Sequence, residues 1–207
     1  MNDQEARNLL INNLSFSSDD IAKLEIFRQY LLKFNKNYNL ISKSTENSIW
    51  SRHVLDSAQI LSFFNINENK SLVDLGTGAG FPGLIIAIFN KNVKFHVKLF
   101  EKSPVKRRFL QKIKDNLNIK VEIADDVYKG KIDADIIVSR AFKKIEKIIE
   151  ISREIKEKPH KIIILKGKNA QEEINKVSLG SKYSYKLKKS ITDNDSKIIV
   201  IDVKTNE

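Results

Sequence analysis

Residues 73–83 read Val73-Asp74-Leu75-Gly76-Thr77-Gly78-Ala79-Gly80-Phe81-Pro82-Gly83. A short apolar stretch, Ser71 to Leu75, runs into four glycines in eight residues, and a second apolar run, Leu84 to Phe89, follows them. Glycine lets the main chain turn tightly and lets a ligand approach its N–H groups. The segment therefore predicts a strand, a binding turn and a helix over Phe81 to Asn90. Pro82 would sit in that helix's first turn, where its missing N–H costs nothing.

Downstream the same alternation continues. Strands are predicted at Lys94–Phe100, Ile119–Ala124, Asp135–Ser139 and Lys161–Leu165, with helices at Pro104–Leu117 and Phe142–Glu157. Tyr183–Ile191 and Lys197–Val203 read as an antiparallel hairpin around Thr192-Asp193-Asn194-Asp195. Alternating strands and helices imply an α/β fold, a mostly parallel sheet with helices on both faces. Ligands of such sheets bind outside the carboxyl ends of the strands, where strand order reverses. Upstream, residues 1–66 read as a helical extension, and residues 67–207 as the sheet domain. Ser17, Ser18, Asp19 and Asp20 mark a helix start, and Ile21, Leu24, Phe27, Leu31 and Phe34 follow at helical spacing. A polar loop, Asn35 to Ser44, leads to a second predicted helix over Thr45–Phe64. His53 lies on that helix's apolar face, with Asp56 as a candidate partner.

The chain has 37 basic and 26 acidic residues and a net charge of +11, which suits a polyanionic partner such as nucleic acid. Only seven of the basic residues are arginine, so a lysine-rich composition is the competing explanation. There is no cysteine, which removes disulfides and thiolate metal sites, and the three histidines are far apart, so no metal is expected. The N-terminal MNDQEARNLL lacks the basic and apolar regions of a signal peptide, and no apolar run is long enough to span a bilayer. A cytoplasmic, monomeric protein is the expectation.

Two ligands compete for the turn. Gly78 to Gly83 satisfies the dinucleotide pattern G-x-G-x-x-G, and Glu101 follows where a ribose-binding acid belongs, which would make the chain an NAD-dependent oxidoreductase. Asp74 argues otherwise. A carboxylate beside this turn would repel a pyrophosphate, whereas S-adenosylmethionine carries an ammonium and a sulfonium that it would attract. Glu101 can accept from both ribose hydroxyls. Asp125, after the third strand, can accept from an adenine amino group, a role open to Asp126 as well. Lys102, Lys106, Arg107 and Arg108 form a basic cluster suited to docking RNA, or simply a solvated helix face.

Six segments together resemble a known family. They are Phe34-Asn35-Lys36-Asn37-Tyr38-Asn39-Leu40, Arg52-His53-Val54-Leu55-Asp56-Ser57, the glycine turn with Phe81-Pro82-Gly83, Lys106-Arg107-Arg108-Phe109-Leu110, Ser139-Arg140-Ala141-Phe142 and Leu165-Lys166-Gly167-Lys168. The glycine turn alone marks a general methyltransferase; the first two segments, in that order, are much more specific. The chain resembles the glucose-inhibited division protein B family, the 16S rRNA guanine-N7 methyltransferases. The resemblance implies a Rossmann-like class I fold and methyl transfer from S-adenosylmethionine to guanine 527 of 16S rRNA. It implies cofactor contacts at Gly76, Phe81, Ala124-Asp125 and Arg140, beside Asp74, Gly78 and Glu101 from the reading above. Arg140 and Lys166, at strand carboxyl ends, are expected to border the target base as catalytic residues. The partner would be 16S rRNA or the small ribosomal subunit. A non-catalytic ribosome-binding protein with the same fold is the remaining alternative. Guanine N7 has a lone pair and no proton, so such a reaction needs no general base.

Overall fold

The computed structural model describes residues 1–129, 132–153 and 158–204. Five parallel strands, β1 (Ser71–Leu75), β2 (His96–Phe100), β3 (Glu122–Ala124), β4 (Ile136–Arg140) and β5 (His160–Lys166), join β6 (Tyr183–Lys189) and β7 (Lys197–Val203) in one sheet. The strand order is β3-β2-β1-β4-β5-β7-β6, with β7 antiparallel to both its neighbours. The chain leaves β1 toward β2 and β3, then returns to lay β4 on β1's other side. Strand order thus reverses between β1 and β4, and the turns after Leu75 and Arg140 meet at that point. In β5, Ile162, Ile163 and Ile164 are fully buried and Leu165 nearly so, as expected of a strand covered on both faces.

Helices α1 (Asp3–Asn12), α2 (Ser18–Asn35), α4 (Gly83–Phe89) and α5 (Pro104–Leu117) pack with one face of the sheet, and α6 (Ile145–Arg153) and α7 (Ala170–Asn175) with the other. The N-terminal helices share a core with the sheet. Phe27 lies 5.5 Å from Phe81 and 6.1 Å from Phe109 between ring centres, and Phe34 lies 5.3 Å from Phe109. Residue 66 therefore marks a change of secondary structure within continuous packing. At the helix start expected from the sequence, Ser17 and Asp20 cap α2 reciprocally.

The expected single helix over Thr45–Phe64 is instead a string of short turns. Lys43–Ser48 and Gln59–Phe63 wind as 3₁₀ helix, Trp50–Leu55 as π-helix, and α3 (Asp56–Ala58) as one α-helical turn. Side chains claim its main-chain carbonyls: Arg140 donates to Arg52 O, Ser57 Oγ to His53 O and Gln59 Nε2 to Asp56 O. Such competition bends helices, and wide turns of this kind occur often at functional sites. The helix after the glycine turn starts at Gly83 and not at Phe81, with Pro82 at its cap. Strands β2 and β3 start later than expected, and β4 and β5 run one residue further. The predicted Phe142–Glu157 helix begins at Ile145, and its 154–157 portion lies outside the described residues. Helix α7 was not foreseen. Among the described residues no helix is long and apolar enough to cross a membrane, and no group of three His, Asp or Glu is placed to hold a metal.

Candidate cofactor and substrate site

The turn after β1 uses its glycines as the sequence reading required. Gly76, Gly78 and Gly80 have φ of +69°, +63° and +103°, a region that strains any residue with a Cβ. Five N–H groups of the turn are spent inside the protein. Thr77 donates to Phe100 O, Gly78 to Glu101 Oε2, Gly80 and Phe81 to Thr77 O, and Gly83 to Asp74 Oδ2. A pyrophosphate bound here would need such donors free. The turn therefore fits the dinucleotide reading poorly.

Asp74 does not line an open surface. It is fully buried, one oxygen accepts from Gly83 N at 2.8 Å, and the other, Oδ1, has no hydrogen-bond partner. Burial pushes its carboxyl pKa up to about 6, against the pull of the Thr77 hydroxyl, the Gly83 N–H and the Arg140 charge. Thr77 Oγ1, also buried, lies near enough to Asp74 to favour its charged form but makes no hydrogen bond of full geometry. Asp74 thus fixes the start of α4 and puts buried negative potential under the turn. Glu101 is 8% exposed and accepts from Gly78 N at 2.9 Å and from Ser103 N at 2.7 Å. It joins the first turn to the second, and each oxygen keeps a lone pair for a hydroxyl. Ala124 ends β3 and Asp125 follows it, both half-buried, and Asp125 Oδ1 accepts from Asp126 N at 2.7 Å. These are features that suit S-adenosylmethionine: glycine at each close approach, two acids and an unsatisfied buried carboxylate oxygen.

Arg140 lies at the end of β4, where its guanidinium is clasped by the N-terminal segment. It donates to His53 Nδ1 at 2.9 Å, to Asp56 Oδ2 at 3.3 Å and to Arg52 O at 3.2 Å, and sits 4.8 Å above the Phe81 ring. Because arginine only donates, His53 Nδ1 must accept, so the proton is on Nε2, which bonds Thr45 Oγ1 at 2.9 Å. Burial, with the charges of Arg140 and Arg52, lowers the His53 pKa to about 3. The expected His53–Asp56 pair is not formed; both hold Arg140 instead. Asp56 also accepts from Thr192, and Arg52 pairs with Asp193 at 2.6 Å, so the β6–β7 turn is tied to the same segment. Phe81 is 3% exposed and stacks on His53 at 4.9 Å. Its ring supports Arg140.

Other candidates are engaged elsewhere. Lys166 donates to Lys143 O and pairs with Glu173 of α7 at 2.9 Å. That contact braces α7 against the lead into α6, since Glu173 also accepts from Ile145 N. Arg107 donates to Glu101 O and Lys102 O, closing the turn before α5 and leaving the basic cluster to its neighbours. Tyr38 is exposed, 6.1 Å from Phe34. Sequence reasoning missed Asn35, whose buried carboxamide accepts from Leu40 and Ile41 N–H and donates to Glu46. It also missed Phe142, whose ring lies on Gly76, and the left-handed Ala141 before it. The motif Ser139-Arg140-Ala141-Phe142 was the available signal.

Comparison with known proteins now separates the remaining readings. Residues 20–199 match the GidB family, rRNA small subunit methyltransferase G. A ribosomal RNA small subunit methyltransferase G of Orientia tsutsugamushi (strain Ikeda) is 34% identical over 97% of this chain and 99% of its own length. One from Pelagibacter ubique is 32% identical over 93% of this chain and 92% of its own. The chain belongs to the GidB family. The GidB fold is also that of more distant methyltransferases. A SAM-dependent methyltransferase from Aquifex aeolicus superposes with a TM-score of 0.56 at 16% identity, covering 77% of this chain and 94% of that one. The ribosomal protein L11 methylase of Lactobacillus delbrueckii gives 0.58 at 12% identity, covering 74% and 79%.

Proposed function

We propose that this GidB-family chain transfers the methyl group of S-adenosylmethionine to N7 of guanine 527 in 16S rRNA by direct in-line attack. One observation carries the mechanism: the ionisable groups around the glycine turn are committed. His53 Nδ1 accepts from Arg140, Asp56 binds Arg140 and Thr192, Glu101 holds two main-chain N–H groups, and Asp74 is sealed in the core. A nucleophile that arrives with its own lone pair, as guanine N7 does, asks none of them to take a proton.

The cofactor, when bound, supplies an electrophilic methyl on a sulfonium. Gly76, Gly78 and the Phe81 main chain would form its bed, with Glu101 at the ribose and Ala124-Asp125 at the adenine. Arg140, held rigid by His53 and Asp56, would fix the approach of the guanine from the β4 side. Alignment of this kind can contribute about 7–11 kcal/mol, against a few kcal/mol for drawing the base from its stack. Lys166 stands at the same rim but is bound to Glu173, so Arg140 is the residue to test. Single-turnover transfer of a labelled methyl group to 16S rRNA should be slower in Arg140→Ala even at saturating RNA and cofactor. Full rescue by more of either would contradict the role. A parent chain that binds small subunits without methylating them would leave the non-catalytic reading.

A further inference from the structure

Ala141 and Phe142 have no part in the scheme above, yet they form the most forced feature of the site. Ala141 has φ +52°, a left-handed conformation that strains a residue with a Cβ. Strain of this kind concentrates where side-chain aim matters. Here it turns the chain off the end of β4 and lays the Phe142 ring on Gly76. A methyl group built on Gly76 would stand 2.8 Å from Phe142 Cγ and 2.9 Å from Cε2, so only glycine admits the ring. The ring is half-buried, and Lys143 Nζ lies 5.8 Å from its centre. Phe142 precedes α6, in the short lead of Ala141, Lys143 and Lys144, all three exposed. It covers the surface that the cofactor is proposed to occupy.

We propose that Phe142 is the stacking surface for the purine that receives the methyl group. In the free chain the ring shields Gly76; when the cofactor covers Gly76 the ring turns outward and takes the base on its face. This rests on the proposed rRNA activity. An aromatic plane suits a base drawn out of its stack, and Lys143 and Lys144 beside it suit the flanking phosphates. The Arg140 clasp sets one side of the guanine, and Phe142 its face. The lead's exposed side gives the ring room to turn about its own side-chain bonds while Lys166 and Glu173 hold the main chain into α6.

The test uses the full chain, Phe142→Leu and Phe142→Tyr. Leucine keeps apolar bulk and removes the aromatic face; tyrosine keeps the face. Cofactor affinity is read by calorimetry, and methyl transfer by single-turnover kinetics across RNA concentrations. Phe142→Leu should bind the cofactor at least as tightly as the parent and methylate at least about fivefold more slowly or with weaker RNA saturation, while Phe142→Tyr should stay close to the parent. A Phe142→Leu chain that methylates like the parent overturns the proposal. So does one that loses cofactor affinity in step with its rate, because the ring would then serve the cofactor. An inactive parent removes the rRNA reading itself, and this proposal with it; an active parent with an unimpaired leucine variant removes only the proposal.

Discussion

Asp74 is a carboxylate whose surroundings oppose its charge, since burial raises its pKa to about 6. A bound cation would reverse that balance. Below about pH 6 the group is protonated and offers a cation little, so S-adenosylmethionine affinity should fall as pH drops from 7 to 5. S-adenosylhomocysteine lacks the sulfonium and should show a shallower slope. Calorimetry on the parent and on Asp74→Asn decides this; an equal slope in both would show that another group titrates. His53 titrates in the opposite sense. Its pKa is about 3 in the fold, while an unfolded chain takes up a proton near pH 6.5. The unfolded state therefore gains protons first, and stability is lost as pH falls through 6.5 toward 3. At pH 5 the loss from this group is about 2 kcal/mol. Denaturant unfolding at pH 7 and pH 5 should show a smaller acid loss in His53→Gln than in the parent, and an equal loss would contradict the buried neutral ring. The sequence placed Asp74 beside the turn and His53 on an apolar helix face with Asp56 as a candidate partner. It could not show that Asp74 is sealed away or that His53 meets Arg140, because spacing along one helix reveals only local partners.

At the level of elements, the strand, glycine turn and helix were legible because each follows from a local rule: apolar run, left-handed glycines, proline at the helix start. The segment from Lys43 to Phe63 was not. Its apolar spacing is helical, but Arg140, Ser57 and Gln59 take the carbonyls an α-helix would use, and Arg140 comes from a distant strand. Helix α7 escaped notice because six residues hold too little periodicity to detect. With it went the partner of Lys166, since Glu173 lies on that helix. Lys166→Met should consequently lower stability by about 1 kcal/mol, the scale of a partly buried ion pair, and leave the methylation rate within about twofold. A stable Lys166→Met chain with a tenfold slower rate would return Lys166 to the reaction.

Taken whole, the molecule holds its reactive edge together from three directions. The N-terminal segment clasps Arg140 through His53 and Asp56, the β6–β7 turn is pinned to that segment by Arg52–Asp193 and Thr192–Asp56, and the helical extension shares the core beneath Phe81. The net charge of +11 suits a polyanion, but which face an RNA covers was not legible, since Arg107 and Lys166 prove to be internal braces. The central claim is methylation of one guanine, and mapping N7-methylguanosine along 16S rRNA, from cells with the chain and cells without it, tests it most directly. The account predicts the mark at guanine 527 only where the chain is present and active. An unchanged methylation map in its absence would contradict it.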